Sequence, residues 1–265
     1  MSGPIVAMGG AEFVMRAHNE ALHDYVLGLA PKPEPKICLL PTASGDPQEQ
    51  ITSFHAAMDR RSCVATSISL FRLGEIKIDL AAHLLDQDIV YVTGGNMVNL
   101  MALWREHGLD EILPEAHRRG TVLCGYSAGS MCWFDWGVSR GVGKPVATRG
   151  LGLLEGSHCV HYSQDPPRRS AYRELLGTGE VPAGLALDDH AGALFRDGTM
   201  VEAVRSRESA RAFHVAAGAG GVVETPLQTR FVESAPAAAR EPALEEMRAV
   251  RAMRSAAGSR AMRRG

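Results

Sequence analysis

Five cysteines, Cys38, Cys63, Cys124, Cys132 and Cys159, are spread through 265 residues with no CxxC or other metal-ligand spacing, so the sequence makes no case for a bound metal. Three of them sit in apolar surroundings of the kind that hold buried thiols, which points to a reducing, cytoplasmic setting. No window of about 18 uninterrupted apolar residues occurs. Nor does a charged segment precede a long apolar run at Met1-Ser2-Gly3-Pro4-Ile5-Val6-Ala7, so neither a membrane span nor an export signal is expected. An excess of either charge is missing too. The formal net charge of -2 gives no electrostatic reason to expect nucleic acid or an anionic membrane as partner. No internal repeat of about 20 to 50 residues is visible.

What is present is enough apolar content, 45%, to bury one sizeable core. A single domain is expected over residues 1–234. Residues 235–265, rich in alanine and arginine, are expected to form a C-terminal helix or a partly disordered tail, with an amphipathic stretch at Leu244, Met247, Val250 and Met253. Upstream, short β-rich runs alternate with segments of helical period, the pattern of a mostly parallel sheet flanked by helices in an α/β fold. The expected strands are Ile5 to Met8, Lys36 to Leu40, Ser67 to Leu70, Ile89 to Val92 and Thr121 to Cys124. Helices are expected from Glu12 to Leu29, Gln48 to Arg60, Asn99 to Arg105 and Leu109 to Arg118. Four of the strands end at turn signals, Gly9-Gly10, Pro41 to Gly45, Gly94-Gly95-Asn96 and Gly125-Tyr126-Ser127, where open α/β sheets place a ligand crevice. Beyond Gly150 the shorter runs Leu185 to Leu187, Ala193 to Phe195, Val201 to Val204 and Ala212 to Val215 read as antiparallel strands extending the sheet.

The pentapeptide Gly125-Tyr126-Ser127-Ala128-Gly129 is a GxSxG turn between an apolar strand and an apolar stretch, which makes Ser127 the candidate nucleophile. A bare N-capping serine at a tight turn is the plainer alternative. A serine hydroxyl needs a base, and the base needs an orienting acid. His161, after an apolar segment and before the loop Ser163-Gln164-Asp165-Pro166-Pro167, is the leading base, with His158, His190 and His214 as rivals. Asp188-Asp189 follows Leu185-Ala186-Leu187, and because neighbouring strand residues face opposite ways only one of the two can meet the histidine. Asp135, on the helix expected to leave the turn, is a further candidate acid. Backbone donors for an oxyanion would come from Ala128 and from the glycine turn at Gly95. That turn lacks a following Lys-Ser or Lys-Thr and the GxGxxG spacing, which argues against a nucleotide loop.

Taken in order, Thr93-Gly94-Gly95-Asn96, Gly125-Tyr126-Ser127-Ala128-Gly129-Ser130, Leu151-Gly152-Leu153-Leu154 running into Val160-His161-Tyr162, and Ala186-Leu187-Asp188-Asp189 resemble the peptidase E family, which includes aspartyl dipeptidases and cyanophycinases. The likeness spans Ile5 to Val215. It implies a class I glutamine amidotransferase-like (flavodoxin-like) fold with serine where those enzymes carry cysteine. It also implies Ser127 as nucleophile, His161 as base, and Gly95 and Ala128 as the oxyanion hole. The family's acid is commonly glutamate, and the matching position here is Asp189. The order Ser, His, acid separates this pattern from ordinary α/β-hydrolases, whose version here would be Ser127, Asp189, His214. The implied reaction is acyl transfer without metal or organic cofactor. The implied partner is a short peptide substrate, and the sequence leaves open whether the chain forms a homodimer. For an N-terminal aspartate, Arg168, Arg169 and Arg173 would supply a cation and Glu12 would meet the amine, unless the arginines are surface charges on a helix. An esterase or amidase of α/β-hydrolase type and a catalytically silent binding protein are the rival classes.

Overall fold

In the computed structural model, which describes residues 2–10, 20–75, 77–140 and 143–234, short apolar runs that stop at glycine or proline become the central strands. They are β1 (Ile5–Met8), β2 (Lys36–Leu40), β3 (Val64–Ser67), β4 (Ile89–Val92) and β5 (Val122–Tyr126), hydrogen-bonded in parallel in the order β3-β2-β4-β5-β1. Every residue of β1, β4 and β5 is buried, as strands covered on both faces require. Alternate residues feed separate cores. Ile5 and Ala7 pack with Trp104, Leu109 and Leu113 on one face, whereas Val6 and Met8 pack with Leu22, Val26, Phe54 and Met58 on the other. The covering helices are α1 (Glu20–Leu27), α2 (Gln48–Met58), α3 (Leu80–Leu85), α4 (Met97–Glu106) and α5 (Leu109–Arg118). A single turn, α6 (Ala128–Met131), follows β5.

The second half of the chain runs β6 (Phe134–Arg140), β7 (Pro145–Arg149), β8 (Leu154–Val160), α7 (Pro166–Thr178), β9 (Gly184–Leu187), β10 (Ala191–Arg196), β11 (Thr199–Arg205), β12 (Ala212–Gly218), β13 (Gly221–Pro226) and β14 (Thr229–Phe231). Strands β10 and β11 extend the first sheet antiparallel beside β1, and β14 closes that edge in parallel. The others build a second sheet, β13-β12-β9-β8-β6-β7, in which parallel and antiparallel pairs mix. Helix α7 contributes Tyr172 and Leu176 to a third core with Tyr162, Phe213 and Val215.

This arrangement corrects several sequence expectations. One mostly parallel sheet becomes two mixed sheets, because Ala212 to Val215 and Leu185 to Leu187 pair with β8 and β13 instead of joining β1. The strand expected at Ser67 to Leu70 lies earlier, at Val64–Ser67, since Leu70 already belongs to a 3-10 turn over Leu70–Glu75. Asp135 is in strand β6 and not on a helix, for the turn after Ser127 stops at Met131. Residues 12–19 of the first expected helix and the tail from 235 lie outside the described residues. Among the described residues no helix is long and apolar enough to cross a membrane.

Candidate active site

The loops after β1, β2, β4 and β5 converge at the carboxyl ends of the parallel strands. There Ser127 alone spans the step from β5 to α6, with φ 54° and ψ -119°, a backbone that side-chain-bearing residues rarely adopt. Its amide donates to the Met8 carbonyl at 3.1 Å, and its own carbonyl accepts from Ser130 and Met131 at 3.0 Å each. The bend also needs close approach behind it. A Cβ on Gly129 would lie 2.3 Å from the Val92 carbonyl oxygen, so the small residue lets α6 press on the end of β4.

His161 follows the last residue of β8 and also has a positive φ, 53°. Tyr162 N–H donates to Leu187 O at 3.1 Å, while Gln164 and Asp165 amides donate to His161 O at 3.1 and 2.7 Å. This corner aims the ring at two partners. Nε2 is 2.9 Å from Ser127 Oγ, and Nδ1 is 2.5 Å from Asp189 Oδ1. With Nδ1–H donating to the carboxylate, Nε2 presents a lone pair to the serine hydroxyl, the tautomer a base requires.

The two neighbouring aspartates diverge. Asp188, 1% exposed, accepts from the Ser163 amide at 2.8 Å and the Arg211 amide at 3.1 Å, fastening two loops. Asp189 faces the imidazole, with its own amide donating to Gln164 Oε1 at 3.1 Å. Burial by itself would raise the Asp189 carboxyl. The hydrogen bond from His161 and the charges of His161, His190 and Arg168 outweigh it and hold the carboxyl below its ordinary range. Asp189 is therefore ionised wherever His161 needs an acceptor.

On the other side of Ser127, among the described residues, neither the Ala128 nor the Gly95 amide donates to a protein acceptor. Gly95 has φ 144°, and a Cβ there would sit 2.0 Å from the Ala43 carbonyl oxygen, which accepts from Asn96 N at 2.7 Å. Only glycine fits that approach. Behind the serine, Gln50 Nε2 donates to Tyr126 Oη at 2.8 Å and Gln50 Oε1 accepts from Ser44 Oγ at 2.6 Å, tying the turn after β2 to the end of β5.

The model of peptidase family S51 matches residues 5–204. The chain belongs to that family. It is 40% identical over 228 residues to an uncharacterised peptidase of Bacillus subtilis (strain 168), YgaJ, covering 86% of this chain and 98% of that protein. Two solved structures share its fold. A peptidase from an acI-B1 Actinobacterium superposes with a TM-score of 0.66 at 18% identity, over 89% of this chain and 98% of the other. A candidate peptidase E protein from Listeria monocytogenes EGD-e gives 0.57 at 17% identity, over 77% and 99%. The chain is accordingly a serine-type peptidase with a mixed α/β fold.

Within this S51 peptidase the rival bases have other surroundings. His158 is wholly buried, with Nδ1–H donating to the Leu185 carbonyl at 2.9 Å and Nε2 accepting from Ser130 Oγ at 2.8 Å. Burial lowers it to about 4, so it stays neutral. His214 lies on β12 and lines a cavity of about 300 Å³ whose walls include neither Ser127 nor Asp189. Asp135 accepts from the Gly156 amide at 3.0 Å. The arginines separate as well. Arg169 and Arg173 both pair with Glu224, whereas Arg168 is 8% exposed, 3.3 Å from Asp165, and has Nε and Nη1 without a hydrogen-bond partner among the described residues. Glu12 lies outside the described residues.

Sequence reasoning missed Gly10. A Cβ there would lie 2.0 Å from Asp189 Oδ1 and 2.7 Å from His161 Nδ1, so the bare glycine leaves the volume that the acid and ring occupy. Gln164 and Glu224 were missed too. Nothing local distinguishes them, since their partners stand 25 and at least 51 residues away.

Proposed function

We propose that this S51 chain is a serine exopeptidase of the peptidase E type, cutting short peptides through a Ser-His-Asp acyl-enzyme mechanism. The observation that carries it is the continuous relay from Ser127 Oγ through the His161 ring to Asp189. As Oγ attacks the scissile carbonyl carbon, Nε2 takes its proton and the Asp189 carboxylate stabilises the resulting imidazolium. The carbonyl oxygen, now an oxyanion, is met by the unengaged Ala128 and Gly95 amides. The imidazolium returns its proton to the leaving amine, whose departure leaves an ester on Oγ. Water attacks that ester with the ring again as base, releasing the acid and restoring the hydroxyl. The class I glutamine amidotransferase likeness belongs to the same proposal, with serine at the turn in place of cysteine. So does a cytoplasmic location, for which the five buried cysteines, none in a disulfide, are the support. A fluorophosphonate probe should label Ser127 in the wild type and in His214→Ala but not in His161→Ala. Labelling that survives His161→Ala and vanishes in His214→Ala would replace this relay with the hydrolase order.

The same proposal rests a preference for N-terminal aspartate on Arg168. Its two neighbours are committed to Glu224, while Arg168, 3.3 Å from Asp165, is the cation of the three whose charge reaches Asp189, beside which a substrate carboxylate would lie. In a dipeptide panel, Arg168→Met should raise KM for Asp-X substrates by about tenfold to a hundredfold, the worth of a charged hydrogen bond, and leave KM for other dipeptides unchanged. If the wild type ignores Asp-X and cuts others, the aspartate preference falls and the relay stands.

A further inference from the structure

The β12–β13 hairpin is largely exposed, yet it delivers one carboxylate into a dense set of donors. Glu224 on β13 accepts from Tyr162 Oη at 2.7 Å, from Arg173 Nη1 at 2.6 Å, from Arg169 Nε at 3.2 Å and from Arg169 Nη2. Burial would raise this carboxyl, but the donors bring it down to about 2, so it is charged throughout the range in which peptidases work. Tyr162 is the residue immediately after His161. Its ring is buried, packed edge-on against Tyr172 at 6.2 Å and tilted against Phe213 at 5.6 Å, with the Arg169 guanidinium 4.8 Å from its centroid.

The backbone of His161 explains why such an anchor matters. A histidine at φ 53° relaxes toward ordinary conformations unless both flanks are fixed. The flank before it is fixed by the β8–β9 ladder, where Val160 pairs with Leu187. The flank after it is held along the main chain by Tyr162 N–H on Leu187 O at 3.1 Å, by the Gln164 and Asp165 amides on His161 O and by the Ser163 amide on Asp188, and the side chain of Tyr162 adds its own polar tether, the phenol on Glu224. Arg169 and Arg173 reach the same carboxylate from α7, so Glu224 joins the helix, the hairpin and the histidine corner at one point.

We infer that Glu224 is a positioning residue for the peptidase reaction, holding His161 in register with Ser127 and Asp189 by anchoring Tyr162. This rests on the proposed role of His161 as base. Because Glu224 acts on the ring's placement and not on substrate, its loss should lower the rate of proton transfer and leave KM alone.

The test uses the full-length protein with Glu224→Gln, Tyr162→Phe and the double variant. Two quantities are measured: the rate of Ser127 labelling by a fluorophosphonate, normalised to the folded fraction, and the low-field proton resonance of His161 Nδ1–H. Each single variant should label about tenfold to a hundredfold more slowly, the cost of a reacting group displaced by a fraction of an ångström to an ångström. The double variant should be no slower than the worse single, since both cut one tether. The resonance should shift or broaden in all three. Wild-type labelling with an unchanged resonance overturns the assignment, and so do losses that multiply in the double variant, because Glu224 would then act by another route. Should Glu224→Gln fail to fold, Tyr162→Phe decides alone, as it leaves Arg169 and Arg173 on Glu224. Should the wild type not label at all, the proposed function has failed. The resonance, which reports the His161–Asp189 bond without chemistry at Ser127, still decides the role of Glu224.

Discussion

Ser127→Ala should lower kcat/KM on a short peptide substrate by about a million-fold, His161→Ala by a similar factor, and the double variant by no more than either. In the proposed mechanism the nucleophile and the base are a single device. With Nε2 2.9 Å from Oγ, the hydroxyl is useful only while the ring can take its proton, and the ring's second task, activating water, arises only once Oγ has been acylated. Asp189→Asn costs less, about ten-thousandfold, because an amide can donate to Nδ1 and stabilise the tautomer in which Nε2 carries hydrogen and cannot accept. Steady-state kinetics on purified variants decide the matter. Losses that multiply, or a Ser127→Ala enzyme with more than about a hundredth of wild-type activity, where the relay calls for a million-fold loss, would show that the hydroxyl is not the attacking group.

Gly10→Ala is the second large effect, and it acts from a residue that carries no functional group. The added methyl would stand 2.0 Å from Asp189 Oδ1 and 2.6 Å from His161 Cε1, well inside any tolerable contact. Gly10 itself is held, since its carbonyl accepts from His190 N at 3.1 Å and Gly9 N donates to Ala191 O at 3.0 Å. The side chains must therefore give way. Their exposures of 26% and 31% leave them room to swing outward, so the fold should survive while the relay breaks. The expected loss in kcat lies between about a hundredfold and ten-thousandfold, from a misplaced group to a missing acid, with a melting temperature within a few degrees of wild type, as for a change of about 1 kcal/mol. A variant that keeps wild-type kcat would mean that Asp189 does not sit where the 2.5 Å bond places it.

The parallel core was legible because β1, β2, β4 and β5 are short apolar runs closed by Gly, Pro or Ser-rich turns, and burial on both faces demands that pattern. The span from Phe134 to Val160 was not. Its strands carry Asp135, Gly137, Arg140 and Gly156 at positions that run from buried to exposed without alternation, and an apolar stretch after a serine turn fits a helix as well as a strand. Ser127 was legible from its GxSxG turn and His161 from its place after an apolar run, whereas the pattern left Asp188 and Asp189 equal and only the resemblance to the peptidase E family pointed to Asp189. Their mutual distances were not legible, nor were the emptiness at Gly10 and the reach of Glu224 to Tyr162, which only folding creates.

The tandem Asp188-Asp189 ties catalysis to odd and even counting along the chain. One carboxylate clamps the Ser163 and Arg211 amides while its neighbour faces the imidazole, so inserting or deleting a single residue between Leu185 and Asp188 would put one aspartate in the other's place and leave the second role without a carboxylate. Duplicated acids at this spot are thus no redundancy, and the shortest indel there would be more damaging than many substitutions.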